Sequence, residues 1–421
     1  MRIVGSSAPF CGTAGRIRSG AIVLGEGSDV GKASEVHVSR GGTVGTPPGV
    51  QVGVCASTTY SVRELRRSLA WARLARFDGF FLPDHWQDFI PQVLWDPSLT
   101  WRARLADSPH SLREVFTLLG GLARSAGRVR LGLAVTEMLR RHPVMVAQAA
   151  LTLSEMAARP LILGVGAGER LNTEPYGLSQ PKPVARLEEA LQVIRLSLDS
   201  TGAIDFHGEH FRLDGAVVGL APPKSRAPEI WVAAHRPRML EITGRYGDGW
   251  IPTAPPLHGP ADYEIAWKAI QTTAEGAGRS PQTITPSLLV YVVMAPNVTQ
   301  VEELLRSKLA RYMALVGTSA EWWDRWGLEH PFGRDFGGYA DVLPEAIDKD
   351  FVHAAMDRVP PDLVRSCSMS GTPRQVEATI RAYADAGLRH IVLVPASALV
   401  SSRNQAYVAW ALPRLVRALR R

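Results

Sequence analysis

Short apolar runs alternate with amphipathic segments along the chain from residue 50 onward. The runs are about as long as typical strands and are bounded by polar residues, glycine or proline, as expected for buried strands. The pattern predicts eight strand–helix units. The predicted strands are residues 51–55, 79–82, 129–135, 161–165, 229–233, 248–252, 285–294 and 390–394.

Helix boundaries are marked by capping signals. Ser61 and Glu64 have capping-box spacing and predict a helix over residues 61–76. Thr372 and Gln375, with a proline between them, predict the start of another helix, which Gly387 ends before the last strand. Residues 111–125 and 184–198 are further predicted helices.

Strands that alternate with helices predict a parallel sheet, and eight units suit a closed barrel of roughly 250 residues plus insertions. An open doubly wound sheet is the alternative. Gly164, Gly166 and Gly168 follow a predicted strand, but the third glycine comes too early for the dinucleotide-binding pattern G-x-G-x-x-G. We therefore predict an α/β fold, a (β/α)8 TIM barrel over residues 50–421, with insertions at residues 86–109 and 316–364.

Composition sets the broad class of protein. With 46% hydrophobic and 21% charged residues, the chain is predicted to be globular with a large core. The longest apolar stretches, residues 287–295 and 390–400, are shorter than the roughly 18 residues of a membrane-spanning helix, so no such segment is predicted. Residues 1–49 are rich in glycine and serine and lack periodicity, which predicts a disordered extension.

Charge and cysteine content narrow the partners. The net charge of +7 suits an anionic ligand, but lysine and arginine are spread along the chain, which argues against nucleic-acid binding. Cys11, Cys55 and Cys367 are too few and too scattered for a disulfide framework or a zinc site. These features favour a cytoplasmic protein.

Candidate proton-handling residues follow the second and fourth predicted strands. Catalytic side chains of TIM barrels lie at the carboxyl ends of the strands. Asp84 and His85 occupy that position after the second strand, and Glu169 closes the glycine-rich loop after the fourth. A carboxylate beside an imidazole can hold the ring's tautomer, and a carboxyl group in a dry pocket can act as an acid. The alternative interpretation is that Asp84 caps a turn, His85 is an ordinary loop residue and Glu169 faces solvent.

Candidate ligand-binding residues follow the third and fifth predicted strands. The Thr136 hydroxyl could bond a ring edge, although a β-branched residue is also common at a strand end. His235, Arg236 and Arg238 lie where a strand leads into a helix, and helix-start amides with two guanidinium groups suit a phosphate. A solvated basic turn is the alternative for this segment.

A histidine-rich segment is discounted as a metal site. His207 and His210 flank Gly208 and Glu209, which we interpret as the tight turn of a hairpin. The pattern is not H-E-x-x-H and no third ligand follows, so no metal is predicted.

Together these segments resemble the luciferase-like flavin and deazaflavin oxidoreductases, from about residue 50 to the C-terminus. The resemblance implies a TIM barrel of the luciferase-like type. Asp-His after the second strand and Gly-Glu after the fourth are similar to the branch that uses coenzyme F420, a deazaflavin hydride carrier. The matching segments are residues 81–85, 141–143, 147–148, 163–169 with Asn172, 228–234 and 244–250.

A closer likeness involves residues 174–177, 182–190 and 231–240. These segments are similar to those of mycobacterial phthiodiolone ketoreductases, which are linked to reduction of a ketone in a long-chain lipid. The resemblance therefore implies an F420-dependent oxidoreductase that transfers hydride between the deazaflavin and a carbonyl or alcohol, with a lipid ketone as a candidate substrate. It also implies a homodimer.

The resemblance also assigns roles to individual residues. His85 and Glu169 match the proton-handling positions of related sugar-phosphate dehydrogenases. The deazaflavin ring and its polyol are expected at Asp84, Thr136, Ala167, Gly168 and Asn172, and the phosphodiester at His235, Arg236 and Arg238.

The sequence departs from these relatives at two places that would contact phosphate groups. His235 and Arg236 stand where the relatives carry two glycines, and Pro256 replaces their substrate-phosphate lysine, which disfavours a sugar phosphate. Two alternatives stay open, an FMN-dependent monooxygenase and a barrel that binds flavin or lipid without catalysis. The two insertions contain several tryptophans: Trp95, Trp101 and those of residues 322–326. These side chains could line a site for an apolar substrate, or they could only pack the insertions onto the barrel.

Overall fold

The computed structural model describes residues 49–179, 181–221, 226–253 and 259–421. The predicted N-terminal extension, apart from Gly49, lies outside these ranges, so its disorder stays a prediction. The described strands are β1 Gln51–Cys55, β2 Gly79–Leu82, β3 Arg130–Leu133, β4 Ile162–Val165, β5 Ile204–His207, β6 Arg212–Ala216, β7 Glu229–Val232, β8 Gly249–Trp250, β9 Thr285–Met294, β10 Met369–Gly371 and β11 His390–Val394.

Eight parallel strands close into a barrel in the order β1, β2, β3, β4, β7, β8, β9, β11. The closure is made by β11, which pairs with β9 on one side and with β1 on the other, where Gln51 lies opposite His390. The predicted (β/α)8 barrel is therefore confirmed. The short strand β10 pairs in parallel with the carboxyl-terminal part of β9.

Helices cover the outside of the barrel, and their buried faces pack on it in one large apolar core. The eight that do so are α1 Val62–Leu74, α2 Val115–Ala126, α3 Pro143–Met156, α4 Pro183–Asp199, α5 Pro237–Tyr246, α6 Pro260–Gly276, α12 Pro373–Asp385 and α14 Ser402–Leu419. The remaining helices are α7 Val298–Leu305, α8 Lys308–Gly317, α9 Ala320–Asp324, α10 Lys349–Asp357, α11 Pro361–Ser366 and α13 Ser397–Val400.

Local capping chemistry sets several helix starts. The predicted capping boxes at the starts of α1 and α12 are both present. The predicted start of α2 at residue 111 was wrong. The helix begins at Val115, because the Glu114 carboxylate accepts hydrogen bonds from the amides of Phe116 and Thr117 and so caps it there.

Large aromatic rings fill the barrel interior because glycines leave room for them. A side chain at Gly53, Gly79 or Gly132 would begin within 2.6 Å of the Phe81 ring, and one at Gly249 would begin 2.4 Å from Trp231. Such alternation of very large and very small residues gives a packed core rather than a pore. Ligands are thereby confined to the open end of the barrel.

A second apolar core lies outside the barrel. It joins Ile90, Leu94 and Leu99 of the first insertion to residues of α7, α8, α10 and α11. The second insertion therefore begins directly after β9, at residue 295, and runs to residue 368, so the predicted start at residue 316 was too late. Its first two helices share their apolar core with the later ones. We call residues 86–109 and 295–368 the cover.

The predicted hairpin is confirmed, with β5 and β6 antiparallel. Gly208 donates its amide hydrogen to the Phe211 carbonyl, and the Glu189 carboxylate accepts from the amides of residues 209 to 211. The carboxylate therefore holds the turn. Within the described ranges, no cluster of three or more histidine, cysteine or acidic residues is arranged to hold a metal ion.

Among the helices of the described ranges, none is both long and apolar enough to span a membrane.

Candidate active site

A cavity of about 750 Å³ opens at the carboxyl ends of the barrel strands, beneath the cover. It is the place where catalytic residues of TIM barrels are expected. Nine of the ten predicted site residues line it, while Arg238 does not. The nine are Asp84, His85, Thr136, Ala167, Gly168, Glu169, Asn172, His235 and Arg236.

His85 and Glu169 meet on one wall of this cavity. The Nδ1 atom of His85 lies 3.4 Å from Oε2 of Glu169, and the two side chains are 13% and 28% exposed. The partly exposed groups are therefore accessible from the cavity. Asn172 is buried behind them and donates a hydrogen bond from Nδ2 to Glu169 at 3.0 Å.

The Asn172 amide also sets the tautomer of His85. The backbone amide of Trp86 donates to Oδ1 of Asn172, which orients Nδ2 toward the imidazole, 2.9 Å from Nδ1. Since Nδ2 can only donate, Nδ1 of His85 accepts, and the proton of the neutral ring is on Nε2. The hydrogen bond from Asn172 thereby keeps a proton on Nε2 of His85, where it can be donated.

Asp84 lies in a separate, buried network. Its carboxylate accepts hydrogen bonds from the Thr136 hydroxyl at 2.7 Å and from Arg141 at 2.5 Å, and forms an ion pair with Arg140 at 3.2 Å. The expected partnership between the Asp84 carboxylate and the His85 ring is therefore replaced by the contact of His85 with Asn172. Asp84 instead binds Arg140 and Arg141, which come from the loop after β3.

Sequence reasoning missed the role of these arginines. The Arg140 side chain is almost fully buried, pairs with Glu137 and lies over the Trp86 ring at 5.1 Å. Burial alone would lower the pKa of Arg141, but the neighbouring Asp84 carboxylate raises it above its usual range. The adjacent pair of arginines after β3 was a visible signal, because two charges beside a strand end need a buried carboxylate.

The glycine-rich loop provides a wall with little side-chain bulk. Gly168 has φ of +95°, which favours glycine, and Ala167 adds only a methyl group. Gly164 is required for a different reason, since a Cβ there would lie 2.0 Å from the Leu133 carbonyl oxygen. The loop therefore combines close strand packing with a stretch of cavity lining that carries little side-chain bulk, directly before Glu169.

His235 is held as a neutral imidazole. Its Nε2 accepts a hydrogen bond from the Thr253 amide at 2.9 Å, which leaves the proton of the neutral ring on Nδ1. Burial lowers the pKa of His235 to about 4. The ring can therefore offer a hydrogen bond near neutral pH, whereas positive charge at this end of the cavity comes from Arg236.

The two arginines beside His235 point in different directions. Arg236 lines the cavity and pairs with Glu321 of the cover at 2.8 Å. Arg238 pairs with Glu188 of α4 at 3.3 Å, on the outer helix layer. Pro256, the other departure from the sugar-phosphate enzymes, lies outside the described residues.

The cover contributes an apolar half to the cavity. Its lining includes Ile90, Leu309, Met313 and Trp322. The other tryptophans of the insertions mainly pack: Trp101 bonds the Ala398 carbonyl, and Trp323 is buried against Thr318. Trp322 therefore lines the cavity, as the first interpretation predicts, whereas Trp101 and Trp323 pack against neighbouring segments, as the second predicts.

Asp88 is a further carboxyl group at the cavity that sequence reasoning overlooked. It lines the cavity on the cover side, and its Oδ1 accepts from the Ile90 amide at 3.0 Å. Burial raises the pKa of Asp88 despite the nearby histidines His85 and His110. No strand-end position marked it in advance, because it belongs to the first insertion.

Residues 44–390 match the family model described as luciferase-like monooxygenase. The chain belongs to the luciferase-like monooxygenase family. It is 40% identical over 351 residues to a phthiodiolone/phenolphthiodiolone dimycocerosates ketoreductase of Mycobacterium kansasii, across 83% of this chain and 95% of that protein. The predicted family is thus confirmed.

Solved structures share the fold at low sequence identity. An F420-dependent secondary alcohol dehydrogenase, in complex with an F420-acetone adduct, has a TM-score of 0.66 and 20% identity, with coverage of 87% of this chain and 99% of that chain. The EDTA monooxygenase of Chelativorans sp. BNC1 has a TM-score of 0.63 and 14% identity, with coverage of 88% and 94%. These similarities show the luciferase-like barrel.

Proposed function

We propose that the protein is a coenzyme F420-dependent oxidoreductase that reduces the ketone of an apolar, long-chain substrate. The observation that carries the proposal is the 3.4 Å approach of His85 to Glu169 in a cavity that the glycine-rich loop also lines. The ketoreductase name of the Mycobacterium kansasii relative and the F420-dependent alcohol dehydrogenase among the structural neighbours support this chemistry.

The cavity has the features that a deazaflavin requires. A flat ring needs a wall without bulky side chains, which residues 166–168 provide, and a phosphodiester needs donors at one end, which His235 and Arg236 provide. Thr136 has its hydroxyl hydrogen bonded to Asp84, so its oxygen would present lone pairs to a ring edge. Arg238 is excluded from this set because it bonds Glu188.

When bound, the reduced deazaflavin would supply the hydride that forms the new C–H bond at the ketone carbon. The electrons of the C=O π bond move to oxygen, which takes a proton from Nε2 of His85. Nδ1 lies 3.4 Å from the carboxyl group of Glu169, from which the ring recovers a proton as Nε2 gives one up. Such proton donation contributes about 100-fold to 10,000-fold in rate.

The apolar half of the cavity sets the substrate class. Ile90, Leu309 and Met313 provide surface for an aliphatic chain, whereas the donors stay at the strand ends. A substrate with a polar carbonyl and a long hydrocarbon portion matches both halves. The proposal also includes a homodimer, which light scattering on the purified protein tests.

Titration of the purified protein with oxidised coenzyme F420 and, separately, with FMN tests the cofactor. We expect tighter binding of F420, followed by cofactor fluorescence, and ketone-dependent oxidation of the reduced form. Tight FMN binding with oxygen consumption would establish the monooxygenase alternative instead. Binding of either cofactor without turnover of any ketone or alcohol would support the non-catalytic barrel.

A further inference from the structure

Arginines that are scattered along the sequence gather on the outer face of two adjacent helices. The α14 side of this face carries Arg403, Arg414 and Arg417, with Arg421 just beyond the helix end and Trp410 among them. These residues recur at helical spacing, opposite buried Leu412 and Val416. In α1, Arg63 and Arg67 are one turn apart, with Arg66 beside them. The helices are neighbours, since Trp71 of α1 donates to the Ala409 carbonyl of α14.

This face has almost no acidic residues. Glu64 is the single acid in the α1 sequence, and the α14 sequence has none. Glu64 is occupied by Arg102 at 2.7 Å, and the nearby Asp78 is occupied by Arg420 at 2.6 Å. Six exposed arginines, by contrast, form no ion pair with any described residue: Arg63, Arg66, Arg67, Arg403, Arg417 and Arg421.

Exposed apolar groups lie among these charges. Trp410 is 53% exposed, and the Arg414 guanidinium stacks on its ring at 3.7 Å. Leu74, at the end of α1, is 86% exposed, and Val62 at its start is 45% exposed. A tryptophan next to arginines is typical of side chains that sit at the boundary between lipid headgroups and acyl chains.

We propose that the α1–α14 face, defined by the six unpaired arginines with Trp410 and Leu74, docks on the surface of an anionic lipid bilayer. The charges complement acidic headgroups, and Trp410 and Leu74 enter the interfacial layer. A nucleic acid fits this face less well, because Arg414 covers the Trp410 ring on which a base would stack.

The α1–α14 face runs along the side of the barrel. α1 and α14 each follow a strand whose carboxyl end forms the cavity mouth, so both helices start at that end of the barrel. Docking along both helices therefore places the side of the barrel, rather than its closed end, against the headgroups. The inference is independent of the proposed reaction, because binding to a bilayer involves neither cofactor nor turnover.

Vesicle co-sedimentation of the full chain tests the proposal. We expect binding to vesicles of equal parts phosphatidylglycerol and phosphatidylcholine, weakened by salt, and no binding to phosphatidylcholine alone. The variant Arg66→Gln/Arg417→Gln should bind about 30-fold more weakly, at about 1 kcal/mol for each arginine near the surface. Trp410→Ala should also weaken binding, with an unchanged melting temperature.

The matched control is Arg306→Gln/Arg358→Gln, which removes the same charge from exposed positions at the ends of α7 and α10. It should bind vesicles as the parent chain does. Equal weakening in both double variants would overturn the proposal, because net charge alone would then explain binding. So would the absence of vesicle binding, tighter binding to a DNA duplex at the same salt, or a dimer that dissociates in Arg66→Gln/Arg417→Gln.

Discussion

The two halves of the cavity are built in different ways. The barrel half consists of strand-end residues in tight polar networks, such as Asp84 with Arg141 and Asn172 with Glu169. The cover half consists of apolar side chains from two insertions that are distant in sequence and share one core. Under the proposed function, the barrel half supplies the reacting groups and the cover half selects the shape of the substrate.

Removal of the proposed proton donors, which belong to the barrel half, should have the largest effect on activity. His85→Gln and Glu169→Gln, made separately, should each lower kcat about 100-fold to 10,000-fold, because proton donation to the alkoxide is lost. Steady-state kinetics with a fixed ketone measures this. Cofactor affinity, measured by fluorescence titration, should stay unchanged. Full turnover in both variants would contradict the assigned roles.

The buried charge network should dominate stability in the barrel half. Asp84→Ala leaves Arg140 and Arg141 without their shared carboxylate, and breaking a buried pair costs about 3–5 kcal/mol. Chemical denaturation measures the loss. Glu174→Ala, which removes the exposed partner of Arg170, is the control and should leave stability unchanged. A similar loss in both variants would mean that burial does not set the cost.

Buried histidines in the barrel and in the cover should make the stability of the folded protein sensitive to acid. Burial lowers the pKa of His390, inside the barrel, to about 3, and that of His330, in the cover, to about 4. The unfolded chain therefore binds protons that the folded chain does not, and stability falls as the pH drops below about 6.5. Each histidine contributes a slope of up to about 1.4 kcal/mol per pH unit.

His390→Leu separates the two contributions. Both ring nitrogens of His390 lack a hydrogen-bond partner among the described residues, so an apolar side chain should cost little near neutral pH. Denaturation between pH 4 and 6.5 should show a shallower pH slope than the parent protein. An unchanged slope would exclude His390 as a source of acid sensitivity and leave His330 and His235.

The smallest expected effect concerns the shape of the cover half. Ala310 lines the cavity from α8, and Ala310→Leu would fill part of the apolar space. We expect KM for a long-chain ketone to rise about 10-fold, within the range that one or two methylene groups produce in an apolar pocket. KM for a short ketone such as acetone should not change. A parallel rise for both would show that the cover does not select chain length.

The barrel and most of the strand-end residues that line the cavity could be predicted from the sequence. Short apolar strands and capped helices are local patterns, and the carboxyl ends of parallel strands must meet at one end of a barrel, so His85 and Glu169 could be placed together in advance. The resemblance to the luciferase-like family rested on the same strand-end segments.

The hydrogen-bond and ion-pair partners of these strand-end residues depend on the tertiary structure. Asn172 rather than Asp84 orients His85, and Arg238 turns outward to Glu188, because side-chain direction depends on packing that no local pattern encodes. The cover and the arginine face of α1 and α14 have the same origin. Their members are hundreds of positions apart along the chain, and they meet because burial of apolar faces fixes how the helices pack.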